Sequence, residues 1–177
     1  TLTGDMNDVA ISERFLKDIT ASYGVELAAT AERWARFLAA AKQSGVTLKD
    51  TQDIFRSVTK ASAVLGLQTE DLSTVYLALE QMMSKGKVTT EELRRQLGEK
   101  LPGAVGIMAA AIGVNVEQLD KMLKKGEVLS ADALPKFAKA LEAAYGIQSV
   151  ETIDTLTANV NELTNAWQTF TKSFVES

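Results

Sequence analysis

Between residues 27 and 83 the apolar positions recur every three or four residues. Leu27, Ala31, Trp34, Leu38 and Ala41 share one face, Leu48, Phe55, Val58, Ser62 and Leu65 a second, and Leu72, Tyr76, Leu79 and Met83 a third. That spacing is the 3.6-residue period of helices that bury one side. Leu134, Phe137, Leu141 and Tyr145 continue it, and Pro135 is best placed in the first turn of that helix, where its missing N–H has no partner to lose. No segment alternates with period two, so the fold class is all-α.

The helices are separated by a recurring phrase: a glycine, an apolar residue, then a hydroxyl or amide residue with acidic residues close by. It occurs as "GVTLKD" from Gly45, "GLQTEDL" from Gly66, "GKVTTEEL" from Gly86, "GVNVEQL" from Gly113 and "GEVLSADAL" from Gly126. Each phrase closes one helix on a left-handed glycine and opens the next, the hydroxyl or amide accepting from free N–H groups of the new first turn. Thr89 with Glu92 and Asn115 with Gln118 are spaced as capping boxes, and Val88 with Leu93 and Val114 with Leu119 as hydrophobic staples. The glycines are irregularly spaced, so they mark helix boundaries and not a solenoid repeat.

The two ends carry longer stripes. Ile153, Leu156, Val160, Leu163, Trp167, Phe170 and Phe174 step alternately by three and four, a heptad register that calls for a partner helix. Leu2, Met6, Val9, Leu16, Ile19 and Tyr23 form a weaker stripe that breaks near Gly24. Three regions follow: an N-terminal amphipathic region over 1–44, a compact multi-helix core over 45–146, and a heptad-bearing helix over 147–177. Because the stripes run to the ends, one or both ends are expected to continue into a longer protein.

"LPGAVGIMAAAIGVNV", residues 101–116, is uncharged in a chain that is 24% charged. As a helix it spans only about 24 Å, short of a ~30 Å hydrocarbon core, and Pro102 and Gly113 shorten it further. A buried short helix with Val105, Met108, Ala109 and Ile112 facing inward is the expected arrangement.

Composition narrows the chemistry. With no cysteine and no histidine, the chain lacks thiolate nucleophiles, imidazole bases and Cys- or His-built zinc sites. Glu70–Asp71 and Glu91–Glu92 are adjacent pairs whose members point about 100° apart on a helix, and both fall in first turns, where negative charge suits the helix dipole. Gly103, Gly106 and Gly113 form no GxGxxG or GK[ST] loop. No catalytic, metal or cofactor residues are therefore expected, and the chain is not read as an enzyme. The net charge of −4 argues against direct nucleic-acid binding, although residues 85–139 hold ten basic against seven acidic side chains.

The block from Gly45 to Gly146 resembles the N-terminal part of bacteriophage tail tape measure proteins. The resemblance is carried by "IFRSVTKASAVLGLQTEDLSTVYLALEQMMSKGKVTTEELRRQLGEKLPGAVGIMAAAIGV" and "LKKGEVLSADALPKFAKALEAAYG", with "QMMSKGKVTTEELRRQLGEKLPGA" the most distinctive string. It implies a structural helical region of a phage or prophage tape measure protein. Such a protein is a scaffold for tail tube assembly that determines tail length. It also implies tail tube protein and tail assembly chaperones as partners, and a place in the virion tail after assembly in the bacterial cytoplasm. The alternative is a membrane-interacting segment of a tape measure protein, used in DNA ejection.

Two sets of residues are candidates for partner binding. One is the basic cluster Lys87, Arg94, Arg95 and Lys100, which either receives an acidic partner or forms internal pairs such as Glu91 with Arg95. The other is the seam Ile153, Leu156, Val160, Leu163, Trp167 and Phe170, which offers self-association through the C-terminal helix.

Overall fold

The computed structural model describes residues 2–176, but not the side chains of residues 2–7, Leu156 and 173–176. The predicted stripe members Leu2, Met6, Leu156 and Phe174 therefore lie outside the described side chains. The elements in order are α1 (Leu2–Tyr23), α2 (Leu27–Gln43), α3 (Leu48–Val64), α4 (Thr69–Lys85), a π-helix (Glu91–Leu97) running into the single turn α5 (Gly98–Lys100), α6 (Ala104–Ile112), α7 (Val116–Lys124), α8 (Ser130–Tyr145) and α9 (Leu156–Glu176). Among the described residues no strand forms; Lys87 and Leu129 make one isolated antiparallel bridge. The class is all-α.

Each of the five glycine phrases falls at a helix boundary. Thr47 caps α3 by accepting from the Asp50 N–H at 3.1 Å. Asn115 and Gln118 form the expected capping box, each side chain accepting from the other's backbone N–H at 2.8 and 3.0 Å. The second predicted box does not form. Glu92 is 1% exposed and turns inward to pair with Lys85, the Thr89 hydroxyl is buried without a partner, and the segment winds as a π-helix. Val88 is held instead by its N–H to the Val128 carbonyl at 2.8 Å, and the staple pair Val88 and Leu93 is fully buried.

Pro135 lies in the second turn of α8 and not the first. The start of α8 is fixed upstream: Ser130 donates its N–H to the Gly86 carbonyl at 3.1 Å and its hydroxyl to the Met82 carbonyl at 2.5 Å. The missing N–H of Pro135 leaves the Ala131 carbonyl without its helical donor, a cost borne by the packing of Leu134, Phe137, Ala138 and Leu141.

One continuous core runs from Phe15 to Ile147 and draws on α1 to α4, the π-helix, α6, α7 and α8. Its centre is aromatic. Phe55 of α3 stacks on Tyr76 of α4 with centroids 4.2 Å apart, and meets Trp34 edge-on at 5.2 Å and Phe37 at 6.0 Å; Phe15 closes on Trp34 at 4.5 Å. Such ring pairs add about 0.5–1.5 kcal/mol each beyond area burial. The buried Tyr76 hydroxyl is satisfied by Thr59. Burial pushes its pKa well above the ordinary value, with hydrogen bonds to Thr59 and Thr30 opposing the rise. All four predicted positions of α4 are buried. Leu65 is not: it is the residue after the last turn of α3 and is 41% exposed.

The uncharged stretch forms α6, nine residues long. Met108 and Ala109 are buried as expected, together with Leu101 and Ala104; Val105 and Ile112 are only half-buried. α6 packs on α8, and the Tyr145 hydroxyl donates to the Pro102 carbonyl at 3.0 Å. Among the described residues no helix is long and apolar enough to cross a membrane.

Candidate interaction surfaces

The basic cluster is largely neutralised within the chain. Arg94 meets Asp120 at 2.6 Å, Arg95 meets Glu91 of the preceding turn at 3.6 Å, and Lys100 meets Asp71 at the start of α4 at 2.8 Å. Hydrogen bonding and charge from Asp71 raise the pKa of Lys100 above the ordinary lysine value. Lys87 is exposed, its backbone fixed by the bridge to Leu129. The Glu91–Arg95 pair is the one that i to i+4 spacing predicts, whereas Asp71 and Asp120 are brought in by tertiary structure from other helices. Exposed pairs of this kind are weak and screened by salt, and those to Asp71 and Asp120 tie the motif segment to α4 and α7.

A buried ionic group joins α3 to α8. Lys60, 5% exposed, donates to Glu142 at 2.7 Å, and the Ser57 hydroxyl donates to the other carboxylate oxygen at 3.0 Å. Each charge has its partner, which makes this a structural contact. Among the described residues no group of three or more acidic side chains is placed to hold a metal ion.

The C-terminal helix is arranged differently. Ile153 precedes α9: it packs against the core, and its N–H donates to the Ser22 carbonyl at 2.9 Å. Thr155 then caps the helix, its hydroxyl accepting from the Ala158 N–H at 3.0 Å. From there the side facing the body is small and polar. Ala158 is buried against Gly24, and a Cβ built at Gly24 would stand 2.3 Å from the Ala158 Cβ. With φ at +64° as well, only glycine fits this close approach. Asn165 spans the α1–α2 turn, accepting from the Leu27 N–H at 2.9 Å and donating to the Val25 carbonyl at 2.8 Å; Gln168 donates to Glu26 at 3.0 Å. Glu26 in turn caps α2, accepting from the N–H groups of Ala28 and Ala29.

The heptad seam lies on the opposite side of α9, toward solvent. Val160, Leu163, Trp167 and Phe170 are 54%, 73%, 65% and 61% exposed, and the two rings contact each other with centroids 5.7 Å apart. Ala158, Asn161, Asn165 and Gln168 hold a second three-four register two residues out of step with the first, which on a helix means about 200° away. That polar register is readable in the sequence, but apolar periodicity alone does not reveal it.

A groove of about 890 Å³ lies between α1, α2 and α9. Its apolar lining comes from Val9, Leu16, Leu27, Ala31, Ala35 and Leu38, with Trp34 beneath. Thr169 and Lys172 of α9 form one wall. Leu27, Ala31 and Leu38 belong to the predicted face of α2, yet they are only half-buried; the side turned fully into the core is Thr30, Trp34, Phe37, Ala40 and Ala41.

Comparison with known proteins adds sequence relationships. A family model described as tape measure protein matches residues 1–176. The chain is similar to a probable tape measure protein of Salmonella phage Felix O1 (isolate Felix O1-VT1), 34% identical over 147 residues, which cover 81% of the chain and 20% of that protein. The match thus spans about a fifth of the relative's length. No solved structure matches.

Proposed function

The chain belongs to the tape measure protein family, and from that premise we propose that it is one folded, non-catalytic helical region of a longer structural protein of phage tails. The parent protein acts as the scaffold for tail tube assembly and sets tail length. It is handled by tail assembly chaperones in the bacterial cytoplasm and resides in the virion tail afterwards. This region contributes a compact body and an outward apolar helix face through which α9 associates with another helix.

The observation that carries this reading is the continuous core from Phe15 to Ile147. A chain of 177 residues drawn out as one helix would reach about 265 Å, whereas a compact domain of that size measures roughly 40 Å across. The body is therefore a folded unit that adds little to a ruler, and length must come from the rest of the parent. Inward burial of Leu101, Ala104, Met108 and Ala109 weighs against membrane insertion of residues 101–116, which would take those side chains out of the core.

The test is an in-frame duplication of residues 1–147 in the parent gene, with tail lengths measured by electron microscopy. Lengthening by no more than about 40 Å is expected. Growth near the ~220 Å of an extended helix would overturn the assignment of a compact body.

A further inference from the structure

We infer that the groove between α1 and α2 is the receptor for the α9 apolar face of a second copy of this chain, exchanged reciprocally. This deepens the reading that α9 associates with another helix, and rests on it.

The two sides of α9 differ in what they meet. Asn165 and Gln168 fix the polar side to the copy's own α1–α2 turn, while Val160, Leu163 and Trp167 face away from the body. A helix so oriented cannot fill its own groove without breaking those bonds. It can fill a neighbour's. If two bodies face each other across a twofold axis, the two α9 helices lie side by side between them. Each then shows its polar side to its own body and its apolar side to the other. The groove lies where this arrangement needs it, beside α9, with Thr169 and Lys172 forming the wall against which the second helix would run. The contact is isologous and closes on itself, so it gives a dimer and not a filament.

Dimensions agree. The stretch from Val160 to Trp167 rises about 10 Å and the groove floor from Leu27 to Leu38 about 16 Å, so the seam fits within the groove. Val160, Leu163 and Trp167 together expose on the order of 350–400 Å² of side chain. Seating both seams and covering both grooves buries roughly 1,500 Å² in total, within the size class of specific interfaces. The floor is lined by Leu16, Leu27, Ala31 and Leu38, and the ionic groups Asp8, Lys42, Glu13 and Lys17 sit among its lining residues, paired with one another. A seam-to-seam coiled coil would also cover α9, but it would leave this apolar floor open.

These 177 residues include no cysteine, which permits a direct test. Ala35 and Leu163 are both exposed, one in the groove and one on the seam, so Ala35→Cys and Leu163→Cys leave the fold intact. With a short bismaleimide, an equimolar mixture of the two variants should cross-link several-fold faster than either alone. Preferential cross-linking of Leu163→Cys to itself would overturn the groove as receptor in favour of a seam-to-seam pair. By sedimentation equilibrium, Ala35→Glu and Leu163→Glu should each weaken dimerisation by roughly tenfold or more, with unchanged melting of the monomer. Loss of the dimer in Leu163→Glu but not in Ala35→Glu overturns the groove while preserving α9 association. A wild-type chain that stays monomeric up to roughly 100 µM overturns both.

Discussion

α4 and α9 are both amphipathic helices with apolar residues at three-four spacing, yet they face opposite ways. α4 turns Leu72, Val75, Tyr76, Leu79, Met82 and Met83 into the core, while α9 turns Val160, Leu163 and Trp167 to solvent and docks by Asn165 and Gln168. The two therefore differ in what holds them. α4 is held by desolvation of large side chains, worth about 1.5–3 kcal/mol for each one fully buried, whereas α9 is held by a few hydrogen bonds worth about 0.5–1.5 kcal/mol each and one tight Gly24–Ala158 contact. Apolar periodicity identifies a face that must be covered. It does not say whether the cover comes from the same chain.

Substitutions can break this contrast, and the largest effect belongs to the core. Phe55 touches Phe15, Trp34, Phe37 and Tyr76. Phe55→Ala should cost about 3–5 kcal/mol, read as a lowered denaturation midpoint at an unchanged denaturant slope. Next is Lys60→Met, which leaves the Glu142 carboxylate without its cation between α3 and α8; a loss of about 1–3 kcal/mol is expected, smaller than for a fully buried pair because Glu142 is partly exposed. Gly24→Ala should act mainly on α9. The added methyl collides with Ala158 and strains a positive φ, so amide protons of residues 156–172 should exchange much faster while those of α3 and α4 remain protected. The smallest effect is expected at Leu163→Ser, which should change the stability of the monomer by less than about 0.5 kcal/mol although the same exchange in α4 would be severe. A large loss there in dilute protein would mean that the seam is covered within one chain.

The fold was mostly legible because its signals are local. Glycine phrases mark helix ends through backbone geometry and Asn115–Gln118 closes its box within four residues, so neither depends on what is far away. The failures are tertiary. Glu92 has the spacing of a capping residue, but Lys85 on the preceding helix captures it and the turn winds wide as a π-helix. Pro135 suits a first turn, but Met82 and Gly86 pin Ser130 and start the helix earlier. For the candidate surfaces, periodicity located the seam. It could not show that Ile153 packs on the core, that Asp71 and Asp120 come to Lys100 and Arg94, or that α1 and α2 leave a groove between them. Those depend on where separate helices meet.

The orientation of α9 is tested most directly by its tryptophan. Trp34 is 1% exposed, with its indole N–H donating to Ser12 at 2.8 Å, while Trp167 lies open on the seam at 65%. Acrylamide quenching can be compared between a Trp34→Phe chain, which reports Trp167, and a Trp167→Phe chain, which reports Trp34, both at high dilution where association is absent. Ready quenching and red-shifted emission of Trp167 beside a protected, blue-shifted Trp34 is the expected result. Equal protection of both residues in dilute protein would contradict an outward-facing seam.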